Sequence, residues 1–289
     1  MKAVHELHDP KCKNMSEVYD DACLELLRPY PSMRLPDWDL FNQATGGFRT
    51  KEFSILCGAT GSGKTTWLAN VSAQMIKANI KHFVMSVETG HTDFMKRILS
   101  VLSATDLNAT ETVSQEFVDE LHDKHKALIH GGAVQFSIYD NRVPLAQLLH
   151  DLRWMHDNKG CKVAMIDNLN FFMEVSTAAN SVIEMDKVVH ELIMFCKQVE
   201  MHIVMVMHPK KTEHGRVESE FDIKGSSTAV QEAHNVFLFN RPKDCDESNK
   251  YDRELKIAKM RRRGKMVGKT IVYGSFNTKY MERTISGNL

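Results

Sequence analysis

No C-x-x-C pair occurs anywhere in these 289 residues. That excludes the zinc-ribbon and thioredoxin-like classes built on such pairs. The six cysteines stand apart, and Cys57, Cys161 and Cys196 lie inside apolar runs, as buried free thiols do. This usage fits a reducing compartment. Net charge is also missing: 37 Lys and Arg balance 37 Asp and Glu, so global charge selects no partner. No uninterrupted apolar run is long enough to span a bilayer, and the first residues do not read as a signal peptide, so none is expected. The expectation is a soluble protein of the cytoplasm, or of a host cell's DNA-replication compartment, with no membrane partner. Proline is scarce, yet three of the seven crowd into Pro29–Pro36, a semi-rigid connector. No internal repeat is present. His5, His8 and Cys12 near the N-terminus lack an evident fourth metal ligand, so a polar chain end is the simpler reading.

What is present is an alternation of strand and helix. Short apolar runs read as strands at 53–57, 82–87, 134–139, 162–166, 202–207 and 235–239. Helical patterns fall between most of them, including one after Lys64 and one from Val182 to Val199. Such alternation predicts an α/β domain with a mainly parallel central sheet flanked by helices. Residues 254–260 and 268–273 read as strand, turn, strand, giving an antiparallel C-terminal edge. Ahead of the core, residues 14–28 read as a helix with Ser16 as N-cap. The division is thus residues 1–39, a helix and proline-containing linker, and residues 40–289, the core. One segment is locally basic: Tyr251 to Arg283 holds ten Lys or Arg against three Asp or Glu.

The stretch "SILCGATGSGKTTWLANV" carries the chemistry. Gly58, four residues, then Gly63-Lys64-Thr65 form the G-x-x-x-x-G-K-[ST] pattern of a phosphate-binding loop. A strand ends at Cys57 and a helix opens at Lys64, the context that the motif requires. Backbone N–H groups of Gly58, Ala59, Thr60, Gly61, Ser62 and Gly63 can wrap phosphates, and Thr65 and Thr66 open the helix whose N-terminus adds a positive dipole. Lys64 suits the β- and γ-phosphates of ATP, and Thr65 suits Mg²⁺. The run "KVAMIDNLNFF" ends a buried strand in Asp167, a second Mg²⁺ ligand at the binding edge of the sheet, or else a helix N-cap. Glu88, after "HFVMSV", is either a base for the attacking water or a surface residue at a strand end. His208, after "HIVMVM", either senses the γ-phosphate or caps its strand.

Six segments in order resemble the RecA-type ATPase core of the DnaB/Twinkle class of ring-shaped replicative helicases, from about Leu40 to about Tyr280: "TGGFRTKEFSILCGATGSGKTT", "SVETG", "MIDNLNFF", "VMHPKK", "IKGSSTAVQEAHNVFLFNRP" (with His234 where an Asp is usual) and "IAKMRRRGKMVG". The resemblance implies Glu88 as catalytic base, His208 as γ-phosphate sensor, and Lys259 and Arg261 as cations supplied to the neighbouring subunit. Strand alternation sets Lys259, Arg261 and Arg263 on one face and Arg262 on the other. The resemblance further implies loops at 174–182 and 209–226 that contact single-stranded DNA, the second bearing Lys210, Lys211, Lys224, Gly225 and Ser226. Self-association into a ring, a hexamer, follows, as does work with a primase, polymerase or loader.

Two functions of different class remain open on sequence. One is an ATP-hydrolysing translocase on single-stranded DNA, a replicative helicase core. The other is a RecA-like recombinase or mediator, an ATP-switched binding protein without unwinding activity. A small-molecule kinase fits less well, because no dedicated arginine-rich lid is evident.

Overall fold

The computed structural model describes residues 13–27, 30–108, 112–139, 143–168, 178–210, 216–224 and 227–286. The chain separates into two compact units, Met1–Pro31 and Ser32–Leu289. The first contains helix α1 (Met15–Leu27). Its start is fixed by a reciprocal cap: the Asn14 side chain accepts from Glu17 N at 3.0 Å, and Glu17 accepts from Asn14 N at 2.8 Å. The N-cap is therefore Asn14 rather than Ser16, and none of the helix residues is buried.

The second unit is a three-layer α/β domain. It opens with β1 (Ser32–Met33), α2 (Asp39–Thr45) and β2 (Phe48–Arg49); β1 and β2 pair antiparallel. Met33, Leu35 and Trp38 are buried in the core, so the compact unit begins several residues before position 40. Then follow β3 (Phe53–Cys57), α3 (Lys64–Lys77), β4 (His82–Ser86), α4 (His91–Ser103), α5 (Gln115–His130), β5 (Val134–Phe136), α6 (Leu145–Lys159), β6 (Val163–Asp167), α7 (Ala178–Val199), β7 (His202–Met207), α8 (Ser227–Glu232), β8 (Asn235–Asn240), β9 (Arg253–Met260), β10 (Thr270–Phe276) and β11 (Lys279–Ser286).

Nine strands form one sheet in the order β11-β10-β9-β8-β3-β7-β6-β4-β5. The pairs from β8 through β5 are parallel, and β8-β9, β9-β10 and β10-β11 are antiparallel. This is the expected mixed sheet with one addition, β11, as the outermost strand. Period-two alternation sends each central strand's side chains to two separate cores. Ile55, Ala164, Ile166, Ile203, Met205, Val236 and Leu238 pack with α6 and α7 residues such as Leu148 and Leu192. Leu56, Val163, Met165, Val204, Val206, Phe237 and Phe239 pack with Trp67, Leu68 and Phe94 of α3 and α4. A sheet covered on both faces has fully buried strands, hence the unbroken apolar runs in the sequence.

Candidate active site

Parallel strands deliver their C-terminal ends to one edge of the sheet, and that edge collects the chemistry. Across it in spatial order stand Asn240 at the end of β8 with Arg241 just beyond it, the phosphate loop after β3, His208 after β7, Asp167 and Asn168 at the end of β6, and Glu88 beyond β4.

The loop Gly58–Gly63 is shaped for close backbone approach. A Cβ at Gly58 would lie 2.3 Å from the Phe239 carbonyl oxygen, and Gly63 adopts φ +98°, so neither position accepts a side chain. Lys64 is buried, and its Nζ donates to the Gly58 and Ala59 carbonyls at 2.8 and 3.0 Å. Burial lowers its pKa, opposed by the Asp167 carboxylate. An ammonium held only by neutral carbonyls is poised for an anionic partner. The buried Ser62 hydroxyl has no hydrogen-bond partner among the described residues. These features fit a phosphate chain. Thr66 lies in the first turn of α3, its carbonyl accepting from Asn70 at 2.9 Å.

Thr65 Oγ1 donates to Asp167 Oδ2 at 2.7 Å. Asp167 is buried at the end of β6, and burial raises its pKa while the Thr65 hydrogen bond opposes the rise. A hydroxyl and a carboxylate oxygen side by side beside a phosphate loop are the hard oxygen donors that Mg²⁺ takes, so the residues present fit that ion.

The structure adds a residue that carried no assigned role on sequence. Asn168 Nδ2 donates to Glu88 Oε2 at 2.7 Å and lies 3.0 Å from His208 Nε2. The topology explains this: β6 runs between β7 and β4, so the residue after its end reaches both neighbours' ends. Glu88 and His208, 120 positions apart in the chain, thus share one amide. Asn168 donates to both, so His208 Nε2 serves as acceptor and the ring is neutral in this arrangement. Burial, and next the Lys64 charge, lower the His208 pKa and favour that form. Arg97, in the second turn of α4, also acts on this region: its charge reaches Asp167, and its buried Nε has no partner among the described residues.

Two arginines from the strands on the other side brace the loop. Arg253 Nε donates to Ser62 O at 2.8 Å and Arg241 Nη2 to Gly61 O at 3.2 Å. Beside them a cavity of about 720 Å³ is lined by Ala59–Ser62, Arg216, Glu218, Asn240, Arg241, Pro242, Lys243 and Cys245.

Lys259 and Arg261 lie elsewhere. Strand β9 is antiparallel to β8, so Arg253 is at the phosphate-loop edge and Arg261 at the opposite one. Eight strand residues at about 3.3 Å each separate them by about 26 Å. Arg261 Nη2 donates to the Gln231 and Glu232 carbonyls at 2.7 and 3.0 Å, and Lys259 Nζ to the Val230 carbonyl at 2.8 Å. Both cations cap the C-terminal end of α8. The expected shared face holds for this pair only. The strand ends at Met260, alternation stops there, and Arg263 instead donates to Gln43 O at 2.6 Å. Arg262 pairs with Glu52 at 3.0 Å. Nor is β9 an edge strand; it is third from the edge.

Of the expected DNA-contacting residues, Lys210 and Lys224 are exposed and flank a turn described below. Lys211, Gly225 and Ser226 lie outside the described residues, as do 174–177 and the His5, His8, Cys12 set. Among the described residues there is no metal-binding cluster of His, Cys, Asp and Glu, and no helix is long and apolar enough to cross a membrane.

A family model for the DnaB-like helicase C-terminal domain matches residues 37–282. The chain belongs to that family. A curated relative of this DnaB-like domain, the DNA helicase/primase of Enterobacteria phage T3, is 21% identical over 219 residues, which are 72% of this chain and 38% of that one. The chain therefore spans well under half of that relative's length. Among solved structures, one described as an ATPase domain superposes with a TM-score of 0.77 at 14% identity, covering 94% of this chain and all of that one. A DnaB-like replicative helicase, in a structure titled for its interactions with primase, superposes with a TM-score of 0.75 at 15% identity, covering 93% of this chain and 67% of that one. The RecA-like fold of the DnaB-like domain is thus established from sequence family and structure alike.

Proposed function

We propose that this chain is the ATP-hydrolysing motor of a ring-shaped DNA helicase that translocates on single-stranded DNA. The observation that carries the proposal is the convergence of Glu88, Asn168 and His208, from three strands, on the edge that holds the phosphate loop. In this reading the loop amides and Lys64 bind the ATP phosphates, with Lys64 leaving the Gly58 and Ala59 carbonyls for the β- and γ-oxygens. Thr65 and Asp167 hold Mg²⁺, which when bound neutralises charge on the phosphate oxygens. Glu88 takes a proton from the attacking water. Asn168 fixes the Glu88 carboxylate and holds His208 neutral beside it, so that His208 reports γ-phosphate occupancy to the segment that follows.

Arg261 cannot reach its own phosphate loop from the far end of β9. We assign it, with Lys259, to the phosphate loop of a neighbouring subunit, where a guanidinium stabilises the charge that spreads over the transferred phosphoryl oxygens. ATP turnover then requires a ring. Lys210 and Lys224, beside His208, contact DNA phosphates. A primase is the partner suggested by two relatives whose names join helicase and primase.

The test is ATP turnover by the purified chain with and without a single-stranded oligonucleotide, beside Lys64→Ala. DNA-stimulated turnover that the substitution abolishes supports the proposal. Turnover indifferent to DNA rejects it, and DNA-stimulated turnover without strand displacement on a forked duplex assigns the chain to the recombinase class instead.

A further inference from the structure

The turn at 216–224 holds one exposed aromatic side chain on a rigid mount. Phe221 is 71% exposed. Its neighbours are not: Val217 and Ile223 on either side are buried in the core that packs on β7. The turn is fixed from several directions. Ser219 and Asp222 form a capping box around the single helical turn Glu220–Asp222, and the Asp222 carboxylate accepts from the N–H groups of Glu218 and Ser219, both at 2.9 Å. Ile223 bridges Pro209, Lys210 N donates to Asp222 O at 2.6 Å, and Lys224 N donates to His208 O at 2.9 Å. Asn240 brackets Val217 through both its amide groups. A phenyl ring left in water forfeits about 2 kcal/mol of burial. Here the backbone that displays it is tied at both ends, so collapse of a loose loop does not relieve the exposure.

The charges around the ring point to a phosphate-bearing partner. Lys210 lies alongside, its Nζ donating to the Phe221 carbonyl at 2.8 Å, and Lys224 is exposed three residues on. Lys256 Nζ donates to Glu218 O at 2.8 Å. Three acids share the turn, and two are engaged: Glu218 pairs with Arg216 at 2.9 Å, and Asp222 is spent on backbone N–H groups. Glu220, half-buried, faces Lys259. An aromatic face flanked by lysines is the arrangement that holds single-stranded nucleic acid, the ring stacking on a base while cations follow the backbone.

We propose that Phe221 stacks on a base of single-stranded DNA, so that this chain grips its track by a base as well as by phosphates. The inference rests on the DNA-translocase reading above and goes beyond it. A stacking contact is tolerant of sequence, as a translocase requires. Because Lys224 N is bonded to His208 O, the mount is one hydrogen bond from the group beside the γ-phosphate position.

The experiment measures binding of the full chain, with Mg²⁺ and a non-hydrolysable ATP analogue, to fluorescein-labelled oligo-dT and to a matched strand of abasic sites. Phe221→Ala is expected to weaken oligo-dT binding about tenfold or more, to leave abasic-strand binding within about twofold, and to keep the salt slope, since no phosphate contact is lost. Phe221→Trp restores binding. If Phe221→Ala binds oligo-dT as the wild type does, or loses oligo-dT and abasic strand equally, the ring does not stack on a base. If it weakens binding only together with self-association, measured by sedimentation, the ring is a contact between subunits and the inference fails. A wild-type chain that binds no single strand in any nucleotide state overturns the DNA-translocase reading itself, and the stacking role with it.

Discussion

Lowering the pH from 7 to 5 should destabilise this domain through two histidines outside the catalytic edge. His82 and His202 are fully buried. In His82, Nδ1 faces the Ile80 carbonyl at 2.8 Å and Nε2 faces the Ser72 hydroxyl at 2.7 Å. In His202, Nδ1 faces the Arg49 carbonyl at 2.6 Å and Nε2 faces the Ser54 hydroxyl at 2.9 Å. A carbonyl only accepts, so Nδ1 carries the hydrogen in both, and a neutral ring then accepts at Nε2 from the serine. Protonation would turn that acceptor into a donor and bury a charge. Burial accordingly pushes both pKa values down to about 4 from the usual 6.5. The sign follows: below pH 6.5 the unfolded chain takes up protons that the folded chain refuses, so stability is full above 6.5 and is lost as pH falls toward 4. At pH 5 each histidine has lost about 2 kcal/mol, from about 1.5 pH units at about 1.36 kcal/mol each, or about 4 kcal/mol for the pair. Urea unfolding followed by tryptophan fluorescence reads the change, since Trp38 and Trp67 are fully buried. A His82→Gln/His202→Gln chain should be less stable at pH 7 but should lose markedly less between pH 7 and 5. If it loses as much as the wild type, these rings are not the source of the pH dependence.

Other expectations concern the site. Asn168→Ala should lower kcat on the order of 10- to 100-fold through misplacement of Glu88, with nucleotide affinity by fluorescent-analogue titration nearly unchanged; an unaltered kcat would show that the amide does not position the carboxylate. Gly58→Ala should abolish nucleotide binding and lower the unfolding midpoint, because its Cβ meets the Phe239 carbonyl at 2.3 Å; calorimetry and the same titration check both. Arg261→Ala and Lys64→Ala chains should each be nearly inactive alone, a finger being worth about 10³ or more in turnover. Mixed in equal amounts with single-stranded DNA, they should regain measurable ATPase. No recovery despite demonstrated subunit exchange would show that Arg261 does not act across an interface.

Much of this architecture was legible in the sequence because it is local. Buried parallel strands leave unbroken apolar runs such as "HIVMVM", and the phosphate loop announces itself by glycines whose reason is visible at Gly58 and Gly63. Glu88, Asp167 and His208 could be placed on one edge because each follows such a run. What escaped is non-local. Asn168 stands beside Asp167 in the chain, yet its role depends on β6 lying between β7 and β4, a strand order that no spacing encodes. Its position one residue past a strand-end carboxylate was the available signal. Arg241 and Arg253 carry no assigned role on sequence, because their partners in the phosphate loop, Gly61 and Ser62, are 180 and 191 residues away. Arg263 was set on the face of Arg261 by extending alternation past Met260, where the strand has ended. Asn14 took the N-cap from Ser16 because Glu17, not a later residue, completes the reciprocal pair.

The central claim is that the edge where Glu88, Asn168 and His208 meet hydrolyses ATP with Glu88 as base. Glu88→Gln keeps the shape and removes the proton acceptor. Turnover of ATP by this chain and by the wild type, with single-stranded DNA present, should differ by about 10² to 10⁴, while both bind a fluorescent non-hydrolysable ATP analogue with similar affinity. A Glu88→Gln chain that hydrolyses ATP near the wild-type rate would contradict the account.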